Sequence, residues 1–188
     1  MIKKHLLPIV TILFSILIIG CSGNSKFNIK KGAVGSITTK TTIQELNKIF
    51  KNDSIVKNLS EGAQGDNYFQ EDDEYFIFEK GGKLLLTILP KEQLDSTSTI
   101  KSVEIHDARF NTESGININS NYSEINANNT IHKIERTFSS ATLFLNDLNS
   151  TIAIDNEELG LKKINTQKVT KDQIPDLAKI KTFIVWFN

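Results

Sequence analysis

Covalent hydrolysis needs a nucleophile, a base within reach of it and usually an acid to orient that base. The chain is poor in all three. Cys21 is its only cysteine, and of its three histidines only His106 and His132 lie beyond the first twenty residues. No serine stands in a G-x-S-x-G context. His106 alternates with Val103 and Ile105 on a predicted strand, so it faces away from the side those two share, with Asp107 beside it. His132 lies at the start of another predicted strand. Both read as surface histidines rather than a catalytic or metal pair. The run QEDDEYF (70–76) sets Glu71, Asp72, Asp73 and Glu74 in a row. Hard cations want several oxygens, but the spacing and central glycine of a calcium-binding loop are missing. A solvated acidic loop between strands is the expectation. The acids of IDNEELG (154–160) suit a helix start, and Gly81-Gly82 suits a turn rather than a phosphate cradle. The expectation is therefore no catalytic residue, no metal and no cofactor.

Composition narrows the partners. The full chain carries 22 basic and 22 acidic residues. Two of the basic ones, Lys3 and Lys4, lie in the first twenty residues, which hold no acid, so the rest stands at 20 against 22. A near-neutral body lacks the unopposed Lys and Arg that nucleic-acid binding requires, and it has no polybasic patch for anionic headgroups. The stretch after the tether is long enough for one domain with a core of its own, without disulfide or metal.

Lys3 and Lys4 precede an apolar run from Leu6 to Ile19, interrupted only by Pro8, Thr11 and Ser15. Fourteen helical residues span about 21 Å, short of a hydrocarbon core of roughly 30 Å, so the run suits a cleaved signal better than a span. It ends in Ile18-Ile19-Gly20-Cys21, which resembles the lipobox of bacterial lipoproteins. That resemblance implies cleavage between Gly20 and Cys21, diacylglycerol on the Cys21 thiol and usually an acyl group on its new amine. Two or three chains hold a protein stably on a bilayer where one does not. Ser22 resembles an outer-membrane address, because an Asp at that place favours inner-membrane retention, and SGNSKFNIKK lacks the acidic run of some surface lipoproteins. The expected product is lipid-anchored to the outer membrane and faces the periplasm. Residues 1–20 would be the signal, 21–31 a lipidated flexible tether and 32–188 a single domain.

Two segments match at an offset of 79: SITTKTTIQELN (36–47) and GININSNYSEIN (115–126). Thr42-Ile43-Gln44-Glu45 reads as a capping box, and Asn121-Tyr122-Ser123-Glu124 repeats it with Asn as the cap. The first helix continues with Ile43, Leu46, Ile49 and Phe50 on one stripe. The second, with Ala127-Asn128-Asn129, should be one or two turns. EYFIFE (74–79) and KLLLTIL (83–89) flank Lys80-Gly81-Gly82 as a hairpin. Residues 100–107, 130–138, 141–147 and 151–155 follow as antiparallel candidates. The most apolar strand of the body, KIKTFIVWF (179–187), should be central. The expected class is α+β: an antiparallel meander sheet with short capped helices on one face, in two related units of about 32–110 and 111–188. A capped short helix followed by a meander resembles the SmpA/OmlA-type lipoprotein domain, and the tandem form resembles the β-lactamase-inhibitor-protein fold. Thr39-Lys40-Thr41-Thr42 and Phe50-Lys51-Asn52-Asp53 depart from the family's flanking motifs, so the resemblance implies architecture only.

Aromatics Tyr68, Phe69, Tyr75, Phe76 and Phe78 cluster near the hairpin, and Phe183, Val185 and Phe187 oppose Ile184 and Trp186 on the last strand. Core packing accounts for most of them, and an exposed remainder would be a partner surface. Asp53-Ser54-Ile55 and Asp95-Ser96-Thr97 resemble a bacterial O-glycosylation sequon, which marks Ser54 and Ser96. The functional expectation is a non-catalytic binding or scaffold lipoprotein of the cell envelope, with an envelope protein as partner. The alternative is a glycan or small-molecule sensor or hydrolase using His106 and nearby acids.

Overall fold

The computed structural model describes residues 25–60, 72–160 and 168–188. Gly20, Cys21, Glu71, Tyr68 and Phe69 lie outside them. The described chain is α+β and dominated by sheet. Its larger sheet has eight antiparallel strands, and its smaller sheet has four short ones. The small sheet is made by β1 (Asn28–Lys30), β2 (Ala33–Val34), β3 (Ile37–Thr38) and β8 (Asn111–Thr112). β1 pairs antiparallel with β2 and parallel with β8. The expected tether is thus shorter than residues 21–31. Ile29 is buried in the core, and its strand is paired on both sides.

The large sheet contains β4 (Ser54–Asn58), β5 (Glu74–Phe78), β6 (Leu84–Pro90), β7 (Ile100–Ile105), β9 (Ile131–Arg136), β10 (Ser140–Leu145), β11 (Ser150–Asp155) and β12 (Ile180–Trp186). Their order is β4-β5-β6-β7-β12-β11-β10-β9. The last strand is central, as its continuous apolar run predicts. Each half of the sheet follows a short helix: α1 (Leu46–Ile49) behind a 3₁₀ turn at Ile43–Glu45, and α2 (Tyr122–Asn128). Each helix is followed by four strands in meander, and the two meanders meet at β7 and β12.

Period-two alternation decides the two faces of this sheet. One register row runs Lys57–Tyr75–Ile88–Val103–Val185–Ser150–Leu145–Ile131 across all eight strands. From Tyr75 to Ile131 every member is buried. The helices and the small sheet close this face, with Ile29, Ile37, Leu46, Tyr122 and Ile125 in the same core cluster.

The capping boxes form as their spacing predicts. Glu45 Oε2 accepts from the Thr42 N–H at 2.8 Å, and Glu124 Oε2 accepts from the Asn121 N–H at 3.0 Å. The Glu124 N–H in turn donates to Asn121 Oδ1 at 3.0 Å. Asn121→Ala should therefore cost about 1 kcal/mol, read as a lower urea midpoint with an unchanged slope. An unchanged midpoint would show that the cap contributes nothing.

The two helix starts are anchored alike. The N–H groups of Ile43 and Gln44 donate to the carbonyls of Ser98 and Ser96, and those of Tyr122 and Ser123 donate to Ala178 and Asp176. Ser98 N–H bonds the Asp95 carbonyl, and Ala178 N–H bonds the Pro175 carbonyl. Thr38 N–H bonds Thr41 Oγ1, and Asn117 N–H bonds Ser120 Oγ.

Candidate functional site

The second face of the large sheet is the one the helices leave open. Its central row is Val56–Phe76–Thr87–Glu104–Ile184–Thr151–Phe144–Lys133, again one residue from every strand. Phe76, Ile184 and Phe144 are half-buried and Val56 is 51% exposed, whereas Phe183 and Val185 on the opposite face are fully enclosed. Leu89, Ser102 and Trp186 form an adjoining row. Sheet pleat and hydrophobic sequence thus present a band of aromatic and aliphatic side chains interleaved with Thr and Glu. Toward one end the band meets a hollow of about 230 Å³, lined among others by Phe144, Asn149, Thr151, Trp186 and Asn188. Trp186 is fixed there, its Nε1–H donating to Thr151 Oγ1 at 3.1 Å and its carbonyl accepting from Asn149 Nδ2 at 2.9 Å. Aromatics held this way offer apolar contact at little entropic cost.

His106 lies on the open face, as its alternation with Val103 and Ile105 predicts. Its Nε2 is 2.8 Å from Thr87 Oγ1, and Glu104 pairs across the strands with Thr87. No carboxylate among the described residues bonds the ring. His132 does not approach it. β7 and β9 are four strand steps apart in the sheet order, about 19 Å at the usual spacing, and His132 is exposed on the edge strand. Among the described residues no three His, Cys, Asp or Glu side chains converge as metal ligands do.

The acidic run departs from a solvated loop. Asp73 is completely buried and pins two loops, accepting from the Ser60 N–H and hydroxyl at 2.8 Å each and from the Leu94 N–H at 2.6 Å. Burial alone would raise its pKa, but these donors together hold the carboxyl below its ordinary value. Asp72 faces Lys101 instead, and Glu74 accepts from Asn58. The three carboxylates therefore diverge.

The acid beside His106 is committed elsewhere. The Asp107 carboxylate, 1% exposed, takes the Arg109 guanidinium at 2.6 Å and Lys83 Nζ at 2.9 Å. The guanidinium also grips Glu79 through two bonds of 2.8 and 2.9 Å. The Arg109 bonds, against the opposing effect of burial, hold the Asp107 carboxyl far below the usual carboxylate range. Arg109 lies 4.8 Å over the Phe27 ring, and Phe27 meets Phe110 edge to face at 5.0 Å. Asp-x-Arg at the end of a predicted strand was the only sequence sign of this cluster. Ser54 and Ser96 are both exposed, Ser54 at the start of the edge strand β4 and Ser96 in the β6–β7 loop.

Among known proteins, no family model and no curated protein matches the chain. Among solved structures, the chain is similar in fold to the crystal structure of the uncharacterized protein yfeY from Escherichia coli, at 12% identity and a TM-score of 0.52, over 85% of this chain and 99% of that one.

Proposed function

We propose that the chain is a lipoprotein anchored through Cys21 to the outer membrane, facing the periplasm, and that it binds an envelope protein without catalysis. The observation that carries the binding role is the open sheet face, where Phe76, Ile184 and Phe144 remain partly exposed in one register row and Trp186 in the adjoining one. Anchoring rests on the lipobox-like Ile18-Ile19-Gly20-Cys21 after a short apolar run. The double variant Ile184→Asp, Phe144→Asp should lose specific cross-linking to an envelope protein while keeping its circular dichroism. Equal cross-linking by the variant would refute the face as the site. In the same cells Cys21→Ser should abolish incorporation of labelled palmitate, and undiminished label would refute the anchor.

We further propose that the domain consists of two related helix-plus-meander units. The support is the offset of 79 between the capping boxes, together with helix anchors whose donors are 79 residues apart and whose acceptors are 80 apart. This is also the architecture that the resemblance to SmpA/OmlA-type and β-lactamase-inhibitor-protein-like domains implies.

The alternative, a glycan or small-molecule sensor or hydrolase, is favoured by one contact, the His106–Thr87 pair on the open face. It lacks an orienting acid, because Asp107 is held by Arg109 and Lys83. Under this alternative His106→Ala should abolish a measurable hydrolytic activity or small-ligand binding, and an indifferent variant would refute it.

A further inference from the structure

The chain reaches the domain at a defined place. Phe27 is held by Phe110 and by the Arg109 guanidinium, which grips Glu79 at the foot of the β5–β6 hairpin. Gly35 packs against the backbone just before it. Its N–H donates to the Asn28 carbonyl at 2.8 Å, and a Cβ at Gly35 would stand 2.4 Å from the Lys26 carbonyl oxygen. The segment entering the domain is therefore clasped at this hairpin.

Only Ser22, Gly23 and Asn24 separate Cys21 from Ser25. Four residue steps span at most about 14 Å when fully extended. The opposite end of the domain, with the β6–β7 loop, lies farther away by the seven residues of β6, about 23 Å. Charge is arranged to match. The hairpin and the residues clasped to it carry Lys26, Lys80, Lys83 and Arg109 against Glu79 and Asp107, with Lys26, Lys80 and Lys83 exposed. The β6–β7 loop carries Glu92 and Asp95 against Lys91. Asp73 and Asp72 pack beside it through the Leu94 N–H and Lys101, which leaves acids in excess there, four against two bases. A surface of anionic headgroups attracts the first end and repels the second.

We infer that the β5–β6 hairpin, from Glu79 to Lys83, is the lipid-facing end of the domain, and that the β6–β7 loop points away from the bilayer. This rests on the reading that Cys21 is acylated. The geometry keeps the open sheet face roughly upright on the membrane, reachable from the side.

The test uses the full, acylated chain in vesicles of phosphatidylethanolamine and phosphatidylglycerol carrying a nitroxide on the headgroup. Acylation occupies the native thiol, so Lys80→Cys and Ser96→Cys each supply a single site for a fluorophore. Quenching should be several-fold stronger at position 80 than at position 96. Equal quenching, as from a domain lying flat, or the reverse order would overturn the orientation, provided that the mass of the chain shows acyl groups on Cys21. A mass without them would overturn the lipoprotein reading itself, and the orientation with it.

Discussion

Phe183→Ala should cost about 3–5 kcal/mol of stability and lower the melting temperature by roughly 10 °C for a domain of this size. Phe183 is completely buried in the central strand β12. Its register row continues through Ile152 and Leu143 to Ile134, so the cavity would open on the covered face of the second half of the sheet. Little nearby can collapse into it, because the flanking side chains belong to paired strands. Ile184→Ala, one residue along, should cost only about 1–2 kcal/mol, since that side chain is half-exposed on the open face. Thermal melts of the two variants side by side give the comparison. Comparable losses would show that both faces of the sheet are core, which would remove the basis for a binding face.

The second large effect is electrostatic. Asp107 is buried, accepts bonds from Arg109 and Lys83, and also takes the Arg109 backbone N–H at 2.9 Å. Asp107→Asn should cost about 2–3 kcal/mol at neutral pH. The loss stops there because Arg109 and Lys83 are 41% and 59% exposed and can return their charges to water. The same carboxylate gives a pH signature. Its folded-state pKa lies below its unfolded value, near 3.9, so its contribution is fully present above that value. It is lost as pH falls through the unfolded value toward the folded one. Wild type should therefore lose its advantage over Asp107→Asn progressively below about pH 4. Urea titrations at pH 7 and near pH 3 measure the gap, and a gap of the same size at both would show that the ion cluster is not what stabilises this corner.

Much of the architecture was legible because it is local. Capping residues announce a helix start three residues ahead, and both boxes close on the glutamates that their spacing names. Alternation in 74–78 and 150–155 separates the two sheet faces by side-chain type alone, and Gly81-Gly82 marks the hairpin between β5 and β6. What escaped was short or distant. The strands β1, β2, β3 and β8 have two or three residues each, too few to show a period. Strand β4, SIVKN, lies on the sheet edge with exposed Ser54, Val56 and Lys57, so burial imposes no pattern on it. Asp73 sits in an acidic run that reads as solvent-facing, yet its donors, Ser60 and Leu94, are 13 and 21 residues away. The candidate site was legible in its side chains and not in its assembly. The opposition of Ile184 and Trp186 to Phe183 and Val185 follows from pleat, but their alignment with Phe76 and Phe144 depends on strand order. The Thr87 partner of His106 was invisible for the same reason.

The junction of β7 with β12 has a kinetic consequence. Only three residue pairs are registered there, Glu104 with Ile184, Val103 with Val185 and Ser102 with Trp186, whereas β10 and β11 register six. Each meander closes through neighbours along the chain, while this seam joins residues about 80 positions apart and must bear the loop-closure entropy of that separation. The seam should thus be the last ladder to zip during folding. It should also be the first to open under load, so that a pull across the sheet divides it into two intact four-stranded halves before either half unravels.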